Sequence, residues 1–462
     1  MKSMYRKYFA ISLLILCFFS CNNDDNQVLF EDSPAERIAQ GNSEVLSLLT
    51  SEAQGYRGVY FTKNDEFGGF TFYLKFNTNG TVDMTSDFDL ETAIESSSFE
   101  VRLGTTTELV FTTRNHIQKV SDPSTDGLIG TGFKGTSVFQ YYGNENGNLV
   151  FRDVRNKNSS FLELSPTGFA SFEAESIMEA EASLAQRQNI LPTIDSSVFQ
   201  LLTVQNSTGT SNFDFNYDAL RLYANPQITL SDGNVVEYNF GLNFNETGFV
   251  VSPAFEYEGE VYEEFLYDEN SSSYVSSVNG TTATVYLSNT PSFFKDDVNG
   301  IGKVGRQIFI SFIEDGVNPL TSPGFNNLIE TMEFNVTQTD GRSDWVYSGL
   351  AYFAVPDPSG DVRVDVFFSN PSNPNLERAI YLLKPVTEDN KLFLTFEGVT
   401  NQLGFELFQQ LSPFVQFWAS VEGMYYTDEG TFSSDIVSYP NSSGTFTSLS
   451  QSNLRTYGLW LN

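Results

Sequence analysis

The chain has almost no histidine and almost no cysteine. Of its 462 residues, one is a histidine, His116, and two are cysteines, Cys17 and Cys21. A single imidazole excludes the HExxH zinc motif and every site that needs two histidines. Because both cysteines precede residue 22, the remainder of the chain can form neither a disulfide nor a thiolate metal site. Its stability must therefore come from packing.

Basic residues are also scarce. The chain has 25 Lys and Arg against 58 Asp and Glu, which gives a formal net charge of −33. Such a surface repels phosphate backbones and anionic headgroups, which argues against nucleic acid as a partner. We interpret the excess of acidic residues as a solubilising coat and predict no cofactor. The alternative is that some of these carboxylates hold calcium. Three segments hint at calcium loops, Asp122 to Asp126, Asn144 to Asn148 and Asp357 to Asp361, but none has the spacing of an EF-hand.

Long apolar runs are missing except at the start of the chain. Lys2, Arg6 and Lys7 precede an apolar stretch from Tyr8 to Phe19, which is shorter than the ~20 residues that a membrane-spanning helix needs. A small residue, Ser20, ends the stretch. This layout predicts a signal peptide over residues 1–20.

The residues that follow resemble a lipoprotein processing site. Phe18 to Cys21 resembles the lipobox of bacterial lipoproteins, which implies a diacylglycerol on the Cys21 sulfur and a further acyl chain on its amine. Asp24 and Asp25, within Asn22 to Asn26, look like the acidic surface-export signal of Bacteroidota lipoproteins. Three acyl chains at about 0.8 kcal/mol per buried methylene give an effectively permanent anchor. We therefore expect a protein that is lipid-anchored to the outer membrane and faces the cell exterior.

Aromatic residues are abundant, with 43 Phe, 22 Tyr and 3 Trp, and together with many Thr, Val, Asn and Gly they favour strands joined by tight turns. Alternation from Phe72 to Phe76 and a turn at Asn77 to Gly80 are typical of an antiparallel hairpin. Helical spacing predicts helices over Pro34 to Ala53 and Phe172 to Asn189. The prediction is a mainly β fold of antiparallel barrel or sandwich units with a few short helices.

A faint internal repeat supports a duplication of sheet units. Phe72, Leu74, Phe76, Asn77, Gly80 and Val82 recur 168 residues later as Phe240, Leu242, Phe244, Asn245, Gly248 and Val250. The alternative is that two unrelated hairpins with similar turns look alike.

Several segments resemble a Bacteroidota lipoprotein group classed as domain of unknown function (DUF) family 4302. They are Glu52 to Tyr56, Gly68 to Phe70 before Phe72 to Phe76, Asn115, and Ser121 to Pro123. The strand pattern of the N-terminal part is similar to that of lipocalin-like sheets. The resemblance implies a surface protein of a kind often encoded beside TonB-dependent uptake systems and their substrate-binding lipoproteins, which are its expected partners, and it implies no reaction.

Pro192 ends the second helix, and we place the main boundary there. The predicted segments are a signal peptide (1–20), a lipid-anchored tether (21–33), a helix with a lipocalin-like β domain that ends in a helix (34–190), a second β unit (191–300) and a C-terminal β unit (301–462). The last unit is either separate or forms one domain with the second.

No catalytic residue is predicted. His116 is the single imidazole available to a nucleophile triad, no Gly-x-Ser-x-Gly elbow occurs, and we interpret His116 as structural. Ser292 to Lys295 has the Ser-x-x-Lys spacing of penicillin-recognising enzymes. The segment lacks the helical setting of that motif, so chance explains the match better. The carboxylates from Glu256 to Glu264 could serve glycoside hydrolysis or hold a cation, although a solvated strand edge is the simpler interpretation.

Five aromatic residues are the predicted ligand-binding candidates: Tyr141, Tyr142, Trp345, Tyr425 and Tyr426. Each lies beside amide or carboxylate residues, which suits stacking on a pyranose, with core packing as the alternative. The expected function is non-catalytic ligand capture in nutrient uptake, with glycan ahead of peptide. The alternatives are a carboxylate-based hydrolase such as a glycosidase, and a structural or adhesive surface protein.

Overall fold

The structure is a computed structural model that describes residues 33–230, 233–312, 320–434 and 436–462. Cys21, Asp24 and Asp25 lie outside these residues. Strands make up 45% of the chain and helices 17%, which confirms the mainly β prediction. The strands form a closed barrel, an eleven-stranded sheet and a second closed barrel. No helix in the described ranges is long and apolar enough to cross a membrane.

The first barrel is a closed meander of eight antiparallel strands, with β1 paired to both β2 and β8. Its strands are β1 (Tyr56–Phe61), β2 (Gly69–Phe76), β3 (Thr81–Ser86), β4 (Glu95–Leu103), β5 (Thr107–Phe111), β6 (Val138–Glu145), β7 (Asn148–Asp153) and β8 (Phe161–Pro166). A closed up-and-down barrel of eight strands is also the architecture of lipocalins.

Aromatic side chains fill the interior of the first barrel. Phe76 lies 4.9 Å from Phe99 and 6.3 Å from Phe111 between ring centroids. Phe139 continues the chain of contacts, 6.2 Å from Phe111 and 5.2 Å from Tyr60. Eight strands enclose just enough space for such side chains, so the interior is a packed core.

Helix α1 (Pro34–Leu49) adds Val45 and Leu49 to this core and packs against β4 and β5. Ser33 and Glu36 form a capping box at its start. The helix ends at Leu49, whereas the sequence predicted Ala53. The Thr50 hydroxyl donates to the Leu46 carbonyl at 2.9 Å, and such local bonds compete with helix continuation.

The short helix α2 (His116–Lys119) lies in the connection between β5 and β6 of the first barrel. Helix α3 (Phe172–Asn189) begins and ends at the predicted residues. The second sheet follows α3. Its strands are β9 (Phe199–Gln205), β10 (Thr210–Asp214), β11 (Tyr217–Asp218), β12 (Tyr223–Ala224), β13 (Gln227–Thr229), β14 (Val235–Glu237), β15 (Phe240–Phe244), β16 (Gly248–Tyr257), β17 (Glu260–Asp268), β18 (Ser273–Val278) and β19 (Thr281–Ser288). The sheet is curled, and the curl brings Phe213 on β10 into contact with Phe255 on β16.

A buried ion pair joins the second sheet to the first barrel. The Arg187 guanidinium of α3 lies 3.1 Å from Asp87, whose carboxylate also accepts hydrogen bonds from the Ser183 hydroxyl and the Thr71 amide. The Asn243 amide of β15 donates to the Thr71 hydroxyl at 3.0 Å. The hydrophobic cores of these two units are accordingly continuous.

The third unit is another closed eight-stranded barrel with a core of its own. Its strands are β20 (Ile308–Phe312), β21 (Val346–Phe353), β22 (Val362–Asn370), β23 (Asn373–Glu388), β24 (Lys391–Val399), β25 (Met424–Ser433), β26 (Ser438–Ser448) and β27 (Arg455–Leu461). Helix α4 (Pro323–Thr337) follows β20, and α5 (Gln402–Glu406) and α6 (Phe408–Trp418) precede β25. Trp418 and Trp460 are buried inside it.

The apolar run from Val415 to Tyr426 is divided between a helix and a strand. Its first residues belong to α6, and Met424 begins β25. Leu411, Val415 and Trp418 recur at helical spacing and are all buried. Gly423 then turns the chain with φ of +88°.

The two copies of the repeat are both hairpins, but they differ in register. In the first copy Phe76 pairs with Val82, whereas in the second Phe244 pairs with Phe249. The second turn is thus one residue shorter, and a slip of one residue exchanges the faces of a strand. Val82 is buried, but Phe249 rather than Val250 is buried in the second copy. The correspondence therefore holds for the first strand and ends at the turn.

Replacement of Arg187 tests the junction between the first two units. Arg187→Ala leaves the Asp87 carboxylate buried without its cation, and we expect a loss of about 3–5 kcal/mol in the free energy of unfolding. Circular dichroism in urea measures it. Tryptophan fluorescence serves as an internal reference, because Trp345, Trp418 and Trp460 all lie in the third barrel.

The matched control is Arg221→Ala, which removes a partly exposed ion pair with Asp218 and should cost at most about 1 kcal/mol. Equal losses for the two variants, or an equal shift of the fluorescence transition, would contradict the role of this junction.

Candidate functional site

Three of the five predicted ligand-binding residues are buried in the third barrel. Trp345, Tyr425 and Tyr426 expose 8%, 5% and 0% of their surface. Tyr426 accepts a hydrogen bond from the Trp460 indole at 2.8 Å inside the barrel. Tyr425 faces outward but is covered by Phe199 and by Phe294 of the connection before β20. Both faces of this strand are covered, which sequence alternation alone could not show.

Trp345 is likewise covered on both sides. Its ring lies 6.0 Å from Phe368, and the Arg342 guanidinium lies 5.1 Å from the ring centroid. Arg342 is itself paired with Glu406 of α5. The ring therefore anchors α5 and the β21 end of the barrel.

The tyrosine pair on β6 is split between the two faces of the first barrel. Tyr141 points inward and packs against Phe151 at 5.4 Å. Tyr142 points outward and exposes 59% of its surface. The register with β7 shifts between Tyr141 and Gly143, so Tyr142 is the extra residue of a β-bulge. Bulges often redirect a side chain at functional sites.

Tyr142 lies beside a cation and a second exposed ring. The Arg152 guanidinium lies 5.6 Å from the Tyr142 ring centroid, and the Phe161 ring is 5.9 Å away at an interplanar angle of 70°. Phe161 is itself 37% exposed. We call Tyr142, Arg152 and Phe161 the Tyr142 platform.

A row of polar side chains across neighbouring strands holds Arg152 in place. Arg152 donates to the Gln140 amide oxygen at 2.8 Å, and the Gln140 amide nitrogen lies 3.5 Å from Glu108. Glu108 in turn faces Arg102 at 4.0 Å. The four residues stand opposite one another in the strand registers. A guanidinium fixed in this way positions the ring that lies against it.

Hydrogen-bonding groups extend the platform along β8. The Asn148 amide donates to the exposed Glu163 carboxylate at 2.7 Å, two residues beyond Phe161. A flat aromatic surface with amide, carboxylate and guanidinium groups beside it can stack on an apolar ring face and bond to the groups at its edge.

The single histidine is structural. His116 is 1% exposed, its Nε2 lies 2.9 Å from the Ala93 carbonyl, and its Nδ1 lies 3.1 Å from the Ser86 hydroxyl. A carbonyl can only accept, so Nε2 carries the proton and Nδ1 accepts from Ser86. Ser86 is fully buried. Asp122, close to His116 in sequence, pairs with Arg114 instead.

The other motifs find ordinary settings. Ser292 and Lys295 lie in the irregular connection between β19 and β20. The strand that carries Glu263 and Glu264, β17, is paired on both sides by β16 and β18. β18 pairs with Leu266, Tyr267 and Asp268 of this strand and not with its glutamates. The interpretation of the acidic segment as a solvated strand edge therefore stays a prediction.

The predicted calcium loops are turns closed by their own side chains. Asp122 accepts from the Ser124 amide at 2.9 Å, Asn144 from the Gly147 amide at 3.1 Å, and Asp357 from the Ser359 amide at 2.8 Å. Asx turns of this kind need no ion. Within the described residues, no group of three or more His, Cys, Asp or Glu is arranged to hold a metal.

Two further aromatic residues were not among the candidates predicted from the sequence. Tyr238 and Tyr257 are half-buried and meet at one end of the second sheet, 6.1 Å apart between ring centroids. Phe255 and Tyr257 alternate with Glu256 and Glu258, which indicates one apolar face of a strand, but their approach to Tyr238 depends on the curl of the sheet.

The comparison with known families covers the first barrel and most of the second sheet. A family model described as Domain of unknown function (DUF4302) matches residues 26–269. The match spans the two units that share a core. No curated protein sequence matches the chain.

The burial of His116 predicts a pH-dependent loss of stability. Burial lowers the pKa of the imidazole, so the unfolded chain takes up a proton at a higher pH than the folded one. The stabilisation is complete above the unfolded pKa of about 6.5 and is lost as the pH falls toward the folded pKa, at about 1.4 kcal/mol per pH unit.

His116→Gln should reduce the slope of stability against pH between pH 7 and 5, as measured by urea unfolding with circular dichroism. The tryptophan-reported transition of the third barrel should keep its pH dependence in the variant. Identical slopes for wild type and variant would contradict a buried neutral imidazole.

Proposed function

Because the chain belongs to the DUF4302 family, a family with no assigned reaction, we propose from its own residues that it captures glycan at the Tyr142 platform without catalysis. The observation that carries the proposal is the outward, 59% exposed Tyr142 ring at a β-bulge. A large aromatic residue that is left in water beside fixed polar groups is a common feature of binding surfaces.

The filled barrels support a ligand on the outer surface. Rings occupy the inside of the first barrel, and α6 with Trp418 and Phe446, 5.2 Å apart, occupies the third. A barrel of eight strands can hold a small ligand only if side chains leave it room. In this protein the side chains use that room for packing.

Glycan fits the platform better than peptide does. The C–H face of a pyranose matches a flat ring, while Arg152, Asn148 and Glu163 offer a donor or acceptor for hydroxyl groups at its edge. An extended peptide would instead seek a free strand edge. Strands β7 and β8, which carry Arg152 and Phe161, are paired on both sides.

The anchor and the location form part of the same proposal. Cys21 behind an apolar leader and the acidic Asp24 and Asp25 support a lipoprotein that is held on the outer face of the outer membrane. The family resemblance supports TonB-dependent transporters and substrate-binding lipoproteins as partners in uptake.

Replacement of Tyr142 tests the platform. In a soluble form that starts after Asn26, screened on glycan arrays and titrated calorimetrically, Tyr142→Ala should weaken binding at least about tenfold. Tyr142→Phe should retain most of the affinity, because stacking needs the ring and not its hydroxyl.

The matched control is Phe405→Ala, which removes another ring that is 66% exposed, on α5 of the third barrel, and should leave binding unchanged. Turnover of a bound glycan that disappears on replacement of two carboxylates would favour the hydrolase. Binding to whole cells, without any soluble ligand, would favour the structural or adhesive protein.

The anchor is tested separately. Cys21→Ser should abolish incorporation of radiolabelled palmitate and release the protein from the membrane fraction, whereas Cys17→Ser should leave labelling intact. Protease added to intact cells should cut the wild-type protein. Labelled protein that resists the protease would contradict the surface location but not the anchor.

A further inference from the structure

One end of the second sheet gathers three hairpin turns around the open side of its curl. They connect β9 to β10, β16 to β17 and β18 to β19, at residues 206–209, 257–260 and 278–281. Glu258 accepts from the Asn206 amide at 2.6 Å, and Glu260 accepts from the Asn279 amide at 2.8 Å. We call these three turns together with Tyr238 the acidic mouth.

Four aromatic rings line the inner side of the acidic mouth. The Phe255 and Tyr257 rings are nearly parallel, with an interplanar angle of 8°. Phe213 and Tyr238 stand perpendicular to Phe255, at 90° and 84°. Phe213 and Phe255 are buried, whereas Tyr238 and Tyr257 are partly exposed at the opening.

The Tyr257 ring is held rigidly at this opening. Its hydroxyl donates to the Ser211 hydroxyl at 2.8 Å, and its ring centroid lies 5.1 Å from that of Phe213. An aromatic surface that is fixed before binding loses little entropy when a ligand arrives.

The charge around the opening is of one sign. Residues 199–288, which contain the whole second sheet, have 12 acidic residues and one basic residue, Arg221. Arg221 is paired with Asp218. At the turns, Glu258 and Glu260 accept hydrogen bonds from the side-chain amides of Asn206 and Asn279. Amides leave the negative charge of these carboxylates in place.

We propose that the acidic mouth binds an organic cation, an alkylammonium or guanidinium group, against the Tyr238 and Tyr257 rings. Such groups are attracted to the face of an aromatic ring, and carboxylates nearby strengthen the attraction. The opening of a barrel-like sheet is a common place for a ligand. The same chemistry is offered by a free amine and by a lysine or arginine side chain of a peptide.

The raised pKa of Tyr238 agrees with this assignment. Burial raises it first, and the neighbouring Tyr257 and the charge of Glu258 add to the effect. The hydroxyl therefore stays neutral, and the carboxylate of Glu258 is felt at the ring.

The Glu258 position allows a variant that removes the charge without harm to the fold. Glu258 has φ of +52° and precedes Gly259 with φ of +88°. Two-residue turns of this shape favour Asn-Gly. Glu258→Asn should therefore fold at least as well as the wild type.

The test is calorimetric titration of the full chain in non-ionic detergent at 150 mM NaCl, with tetramethylammonium, N-acetyl-lysine amide and trilysine as probes. We expect saturable binding that Tyr238→Ala weakens by about 2- to 30-fold. Tyr238→Phe should retain affinity, because the ring and not the hydroxyl makes the contact. Glu258→Asn should weaken binding with unchanged or increased stability.

The matched control is Glu263→Gln, which removes the same charge from an exposed position on β17 outside the turns. Equal losses of affinity for Glu263→Gln and Glu258→Asn would mean that the cation responds only to the net charge, and this would overturn the proposal. The absence of saturable heat with all three probes would overturn it as well. Tighter binding of trilysine than of the lysine amide would identify a peptide as the source of the cation; equal binding would identify a free amine. Because the acidic mouth and the Tyr142 platform share no residue, one proposal can fail without the other.

Discussion

Aromatic packing inside closed barrels is the constraint on which the rest of this molecule depends. After residue 21 the chain has no thiol, so no covalent cross-link can hold it. In the first barrel, the rings of Phe76 and Phe99 lie 4.9 Å apart in the interior. In the third barrel, Trp418 and Trp460 are buried in the core and both contact Phe446. Dense packing of this kind stabilises the fold and fills the interior of both barrels with side chains. The two sites that we propose therefore lie on an outer face and at the open end of the curled sheet.

The first barrel and the second sheet share one hydrophobic core, and a buried ion pair holds the helix that connects them. Asp87 is fully buried, and Arg187 reaches it from the helix that connects the two units. Glycine at positions 68 and 241 allows the two backbones to approach closely, since a Cβ on Gly241 would lie 2.7 Å from the Gly68 Cα. The family match over residues 26–269 covers the first barrel and most of the second sheet, whereas the third barrel has a separate core.

Periodicity in the sequence predicted helices and strands, but it did not predict which strand faces are covered by other parts of the chain. The helix Phe172–Asn189 and the strand pairs of the first barrel follow from spacing and turn residues. The bulge that directs Tyr142 outward does not, because it depends on a one-residue mismatch with β7. The burial of Tyr425 depends on Phe199 and Phe294, which are more than 100 residues away in sequence. Tertiary contacts of this range leave no local pattern, so the candidate site could be narrowed only by the structure.

The charge beside a tyrosine ring decides what that ring can bind. At Tyr142 the Arg152 guanidinium lies 5.6 Å from the ring centroid, so the electrostatic attraction of that ring is already satisfied and what remains is a flat surface for stacking. At Tyr238, burial and then the neighbouring Tyr257 and Glu258 raise the pKa of the hydroxyl, and a carboxylate beside an aromatic ring favours a cation there. We therefore propose a neutral ligand for the tyrosine on the first barrel and a cationic ligand for the tyrosine on the second sheet, and the difference follows from one fixed arginine.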